Sequence, residues 1–241
     1  MNMPSTFPAS PAGAAALPAA RVPVWDAPVR LVHGLLIACF AGAWLTAESE
    51  RLRLIHETLG WTMLGLVAFR IVWGFVGTRH ARFASFVRGP AAALAHLKQL
   101  LARRVEHEGA GHNPAGGLAV LALLGGVALA AGSGWAAAGG FGGHAVEELH
   151  EFVVHALLAL VALHLAAVGV TSVLQRRNLV GAMVTGRAEV PPSEGITQAR
   201  RGVALLVLAA VLAFWAWQWQ SAPVLPAGAA ATAREHDHDG D

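Results

Sequence analysis

Long runs of apolar residues broken by short polar stretches dominate the chain. Five of them reach, or nearly reach, the roughly 20 residues a helix needs to cross the hydrocarbon core of a bilayer: about 29–46, 57–77, 117–138, 150–174 and 203–219, the last being the shortest. A sixth segment, Ala91 to Val105, has helical composition with its basic residues at one end, as expected of an amphipathic helix lying on a membrane surface. Gly111-His-Asn-Pro-Ala-Gly-Gly117 reads as the turn that launches the third span. The pattern predicts an all-α membrane protein, a four-helix transmembrane bundle with a fifth C-terminal transmembrane helix.

Composition agrees and changes little. Of 241 residues, 55% are hydrophobic and only 13% charged, about half the charged fraction of soluble domains. Charge placement changes more. Thirteen of the 17 Lys and Arg fall in the N-terminal segment, the loop after span two and the loop after span four. Arg51, Arg53 and Arg234 fall on the opposite side, and Arg70 lies within span two. The thirteen-rich side is expected to be cytoplasmic, with the N-terminus inside and the C-terminus outside if the fifth helix spans. The arginines form no basic face interleaved with aromatics, so nucleic-acid binding is not expected. Residues 1–20 carry no charge and no continuous apolar stretch, which suggests a disordered leader rather than a cleaved signal peptide.

The histidines carry the chemistry. His150 and His164 stand fourteen residues apart in span four. Fourteen helical steps return to within about 40° of the starting face and climb about 21 Å. One face therefore presents two imidazoles at two depths. His33 lies near the inner end of span one and His56 at the outer start of span two, so matching by depth pairs His56 with His150 and His33 with His164. Ionisable groups in a membrane are expensive and mark function, and imidazole is a strong axial ligand of haem iron. Two bis-histidine sites for two haems follow. Cys39 is the only cysteine and no Cys-x-x-Cys-His is present, so the haems would be held non-covalently.

Arg70 repeats the fourteen-residue step from His56 and would reach a propionate of the inner haem; Arg30, one turn before His33, is a second candidate. His155 faces away from the ligand stripe. His80, His96 and His107 are expected to be solvated, His112 and His144 to be loop residues able to gate protons, and the His/Asp tail 220–241 to be a solvated acidic segment. The tryptophans near span ends fit an interfacial belt, and the glycines of span three fit close helix packing.

Several motifs resemble the bacterial cytochrome b561 and nickel-iron hydrogenase b-type cytochrome family: Val24-Trp-Asp-Ala-Pro-Val-Arg-Leu-Val-His33, Leu54-Ile-His-Glu-Thr-Leu-Gly60, Phe69-Arg-Ile-Val-Trp-Gly-Phe-Val-Gly-Thr-Arg-His-Ala-Arg-Phe83, Gly111-His-Asn-Pro114 and the His150 to His164 spacing. The resemblance covers about residues 22–187. It implies a bacterial plasma-membrane protein, its C-terminus periplasmic if the fifth helix spans, with a four-helix core binding two haems b, with His33, His56, His150 and His164 as ligands, and electron exchange with quinone or a partner such as a hydrogenase, a dehydrogenase or a cytochrome c in a respiratory chain. Position 34 carries Gly where that family leads one to expect Trp, and span five (203–219) lies outside the core pattern. A rival reading is a transition-metal transporter using membrane histidines, with the His/Asp tail as a collector. Transporters commonly gather their ligands near the midplane, whereas these separate into two depths. A purely structural assembly anchor would leave the four histidines unexplained.

Overall fold

Asp26 and Pro28 open the first long helix. The Asp26 carboxylate accepts the Val29 backbone N–H at 2.9 Å, and the proline sits in the first turn, where its missing N–H costs nothing. From there α1 runs Ala27–Thr46, after a short strand β1, Ala20–Pro23. The computed structural model describes residues 20–102, 111 and 114–222. Nearly all of the expected leader, Arg103, Arg104, His107, His112, the side chain of His96 and the tail from 223 lie outside the described residues.

Next come α2 (Arg53–Val76), α3 (Pro90–Leu101), α4 (Pro114–Ala138), α5 (His144–Leu174), the short α6 (Leu179–Thr185), strand β2 (Arg187–Val190) and α7 (Arg201–Ser221). Five of these are long and apolar enough to span a membrane, and they coincide with the five expected segments to within a few residues, except that the fourth begins earlier. The chain is a multi-pass, all-α membrane protein. The sixth segment is helical as α3, which ends at Leu101.

α1 pairs with α2 and α4 with α5, and the two hairpins meet chiefly through α2 and α4. Cys39, Ala43, Met63, Val67, Val127, Ala130 and Leu157 form the buried seam where these helices meet. Small residues allow it: Gly42 faces Leu59 across α1 and α2, and Gly126 faces Leu157 across α4 and α5. The fifth span, α7, lies against α1 and α2. Trp215 Nε1 donates to Thr62 Oγ1 at 2.8 Å, and Gln218 Nε2 donates to Thr58 Oγ1 at 3.4 Å.

The end of the bundle where α1 begins and α2 ends is closed by a cap that sequence reading did not anticipate. β1 pairs antiparallel with β2, Ala20 opposite Val190 and Pro23 opposite Arg187. Gly186 makes the turn into β2 at φ +78°, a conformation that favours glycine, and its carbonyl accepts from Val24 and Trp25 N–H at 2.8 and 3.2 Å. Beneath this ribbon, Val24 and Val190 are buried together.

Two expectations are corrected here. His80 is not solvated: it is only 7% exposed, its Nε2 lies 2.7 Å from the Glu194 carbonyl, and its ring meets Trp25 edge-on. The returning segment 191–195 folds over the loop after α2 and covers the His80 ring. His144 is not in a loop but is the first residue of α5, where it is exposed and pairs with Glu147 and Glu148 one turn on.

Candidate functional site

At the opposite end of the bundle, where α1 ends and α2 begins, His56 and His150 face each other. Their ring centroids are 6.4 Å apart and their planes are inclined at 84°. Each is held by a carbonyl of the neighbouring helix. His56 Nδ1 lies 2.9 Å from Ala43 O, and His150 Nδ1 lies 2.9 Å from Ala130 O, with Ser133 Oγ at 3.2 Å. A carbonyl can only accept, so Nδ1 carries the proton in both rings and Nε2 keeps its lone pair. Metal-binding histidines are commonly oriented in this way.

A cavity of about 340 Å³ adjoins the pair. Gly60, Ala130, Ala131, Gly134, Ala137 and Ala138 supply small walls, and Glu50, Arg53, Glu57 and Glu147 stand at its mouth. A Cβ on Gly134 would come within 2.9 Å of the His150 ring, so glycine is required for the imidazole to lie where it does. Two imidazoles with free Nε2 lone pairs and centroids 6.4 Å apart could hold one metal ion between them, since a metal lies about 2 Å from each ligating nitrogen, and the small side chains of the cavity leave space for the group that would carry it.

His33 on α1 and His164 on α5 stand within electrostatic reach of each other. Both are half-buried, and among the described residues neither ring has a hydrogen-bond partner. Gly34 has open space beside it, as does Gly65 on α2. The uninterrupted α5 carries His150 and His164 on nearly the same face, about 21 Å apart along the axis.

Arg70 is buried on α2, 6% exposed, and does not snorkel to the surface. Its guanidinium lies 5.2 Å over the Phe83 ring, and its Nη1 is buried without a hydrogen-bond partner. Phe83 reaches that position because residue 74 is glycine: a Cβ there would stand 2.1 Å from the ring. A buried, unsatisfied guanidinium nitrogen is costly and suits an anionic group from outside the chain. Arg30 has a different engagement. Its Nε donates to Met183 O at 3.2 Å and its Nη2 to Val184 O, so it caps the last carbonyls of α6. His155 is exposed, bonded within its own turn to Glu151 O and packed edge-on against Trp44.

Asp26 is the residue whose role sequence reading missed. It is 1% exposed and, besides capping α1, accepts from Trp73 Nε1 at 2.9 Å and Thr78 Oγ1 at 2.7 Å. The Asp-Ala-Pro triplet signals a helix start; nothing local signals that the other carboxylate oxygen ties α1 to the end of α2. Gly111, from another of the quoted motifs, lies against His80: a Cβ there would stand 3.2 Å from Nδ1.

Five apolar spans, with His56 and His150 facing each other from two of them, make this a multi-pass membrane protein whose bundle presents paired imidazoles. The family model described as prokaryotic cytochrome b561 matches residues 24–186, and the chain belongs to that family. It is a bacterial b-type membrane cytochrome of electron transfer, and haem b is its implied cofactor. No curated protein and no solved structure matches the chain.

Proposed function

We propose that the protein binds two haems b, one between His56 and His150 and one between His33 and His164, and passes single electrons between membrane quinone and a redox partner protein, as the membrane subunit of a hydrogenase or another dehydrogenase or as a free-standing quinone oxidoreductase. The observation that carries the reading is the His56 and His150 pair: two imidazoles on different helices, each fixed through Nδ1 with Nε2 left as a ligand. The second pair follows from the uninterrupted α5, which repeats a histidine at the depth of His33.

Bound haem supplies the one-electron chemistry of its iron. The chain does the rest. The Ala43 and Ala130 carbonyls hold two of the four imidazoles in the ligating tautomer. Arg70 offers its unpaired Nη1 to a propionate of the haem between His33 and His164. The cap of β1, β2 and segment 191–195 covers that end of the bundle, and the cavity between α2, α4 and α5 gives the other site an approach from its surface. The excess of Lys and Arg at the cap end favours a cytoplasmic cap, with the His56 and His150 site toward the periplasm.

The transporter reading draws less support. Among the described residues no group of three or more His, Cys, Asp or Glu able to hold a metal ion is gathered, and His56 faces His150 alone. Pyridine haemochrome quantitation of detergent-purified protein, with dithionite-reduced minus oxidised spectra, tests the proposal. About two haems b per chain are expected, falling to about one in His164→Ala. Wild-type protein that stays haem-free after reconstitution with excess haem would overturn it.

A further inference from the structure

The two-haem reading leaves one buried charge without a task. Asp26 is sealed at the cap end, and three donors hold it: Val29 N, Trp73 Nε1 and Thr78 Oγ1. A side chain needed only to cap α1 would use one oxygen and could equally be Ser or Thr. Here the second oxygen is tied to α2 and to the loop that follows it.

Position suggests what the charge does. Asp26 precedes His33 by seven residues, almost two helical turns, so it stands on the His33 side of α1 about 10 Å further toward the cap. Trp73, which it binds, is one turn beyond Arg70 on α2, and Asp26 and Arg70 interact electrostatically. Arg70 is itself held over Phe83 with Nη1 unpaired. A carboxylate and a guanidinium thus lie screened from water at the cap end of α1 and α2, with His33 about two turns along α1 from the carboxylate, and buried charges act over longer distances than surface ones.

We infer that Asp26, acting on Arg70 and on the site between His33 and His164, is the fixed negative charge that sets the reduction potential of the haem bound there. The inference rests on the two-haem reading. Asp26 touches neither haem nor ligand in this role; it is a positioning and electrostatic residue. A negative charge nearby stabilises the oxidised haem, which carries one more positive charge than the reduced form. Neutralising Asp26 therefore raises the midpoint of that haem. Removing a donor that partly neutralises the carboxylate lowers it.

The test is a spectroscopically monitored redox titration of purified, haem-loaded protein, with haem content measured first. In Asp26→Asn one of the two midpoints is expected to rise by about 59 mV, a tenfold change in the ratio of reduced to oxidised haem at fixed potential for one electron, while the other stays in place. Thr78→Val leaves the charge and removes one donor, so the same midpoint is expected to fall, by about a twofold change in that ratio. Opposite signs at one haem separate an electrostatic role from a capping role, which would move neither. Both haems present with unmoved midpoints in the two variants would overturn the inference and leave the cytochrome reading standing. A wild type without haem would overturn that reading instead. Should Asp26→Asn lose haem, Thr78→Val decides alone: a fall supports the inference, and an unchanged midpoint or loss of haem makes Asp26 a structural tie.

Discussion

The two histidine pairs are built differently. At the end where α1 turns into α2, His56 and His150 are fixed by backbone carbonyls of α1 and α4, beside a cavity with small walls, and the charged groups stay at its mouth. Toward the cap end, His33 and His164 have no hydrogen-bond partner among the described residues, and the buried polar groups nearer the cap include the charged Asp26 and Arg70. Backbone carbonyls specify an imidazole's tautomer and direction but add no net charge. Buried ions leave the rings freer and set a local field. On the two-haem reading, the first site is organised chiefly by geometry and the second chiefly by electrostatics, and the two should respond to different substitutions.

The largest expected effects break one site and spare the other. His150→Ala is expected to remove the haem between α2 and α5 while keeping the one at the cap end, halving haem per chain by pyridine haemochrome. Gly134→Val should act similarly through sterics alone, because any Cβ there lies 2.9 Å from the His150 ring and overpacking at such a contact costs about 1–3 kcal/mol. Loss of both haems from either variant would erase the distinction between the sites. A smaller effect is expected at the cap end. On the two-haem reading, Arg70→Leu removes a charge-assisted hydrogen bond to a haem propionate worth about 1.5–3 kcal/mol, so the affinity of the cap-end haem should fall by at least about tenfold in haem titration of the apoprotein, with the other site unaffected. Equal weakening of both would show that Arg70 supports the bundle as a whole.

Much of this was legible in the sequence, for identifiable reasons. Apolar length alone places the five spans, since a helix must satisfy its own backbone in lipid. The fourteen-residue recurrence of His150 and His164 needs only helical geometry to be read. The family rests on motifs that the match over residues 24–186 supports. What escaped depends on contacts distant in sequence. Nothing local in Arg187-Ala-Glu-Val190 announces a partner at Ala20–Pro23. His80 sits in a run of charged and small residues that reads as solvated until segment 191–195, more than a hundred residues later, covers it. Asp26 had no role legible in the sequence, because its bonds to Trp73 and Thr78 span 47 and 52 residues. The earlier start of α5 was missed because His144, Glu147 and Glu148 are polar, although they pair along one helical face.

The smallest expected effect concerns α7, which contributes to neither histidine pair. Its tie to the core at mid-span is the Trp215 Nε1 bond to Thr62 Oγ1, 2.8 Å long, and Thr62 itself donates to Thr58 O at 2.6 Å. In lipid there is no apolar driving force between helices, so packing and such polar ties carry the association. Trp215→Phe keeps an aromatic ring beside Val32, Leu66 and Val211 but deletes the N–H together with part of the indole. The bond is expected to be worth about 0.5–1.5 kcal/mol, which should lower the thermal midpoint of the detergent-solubilised protein by a few degrees. Haem content and both midpoint potentials should be unchanged, because Thr62 is buried on the α7 side of α2 while His56 faces α5. A shift in the midpoint of the His56 and His150 haem would mean that α7 positions α2 at that site, and the fifth span would then belong to the electron-transfer core instead of bracing it.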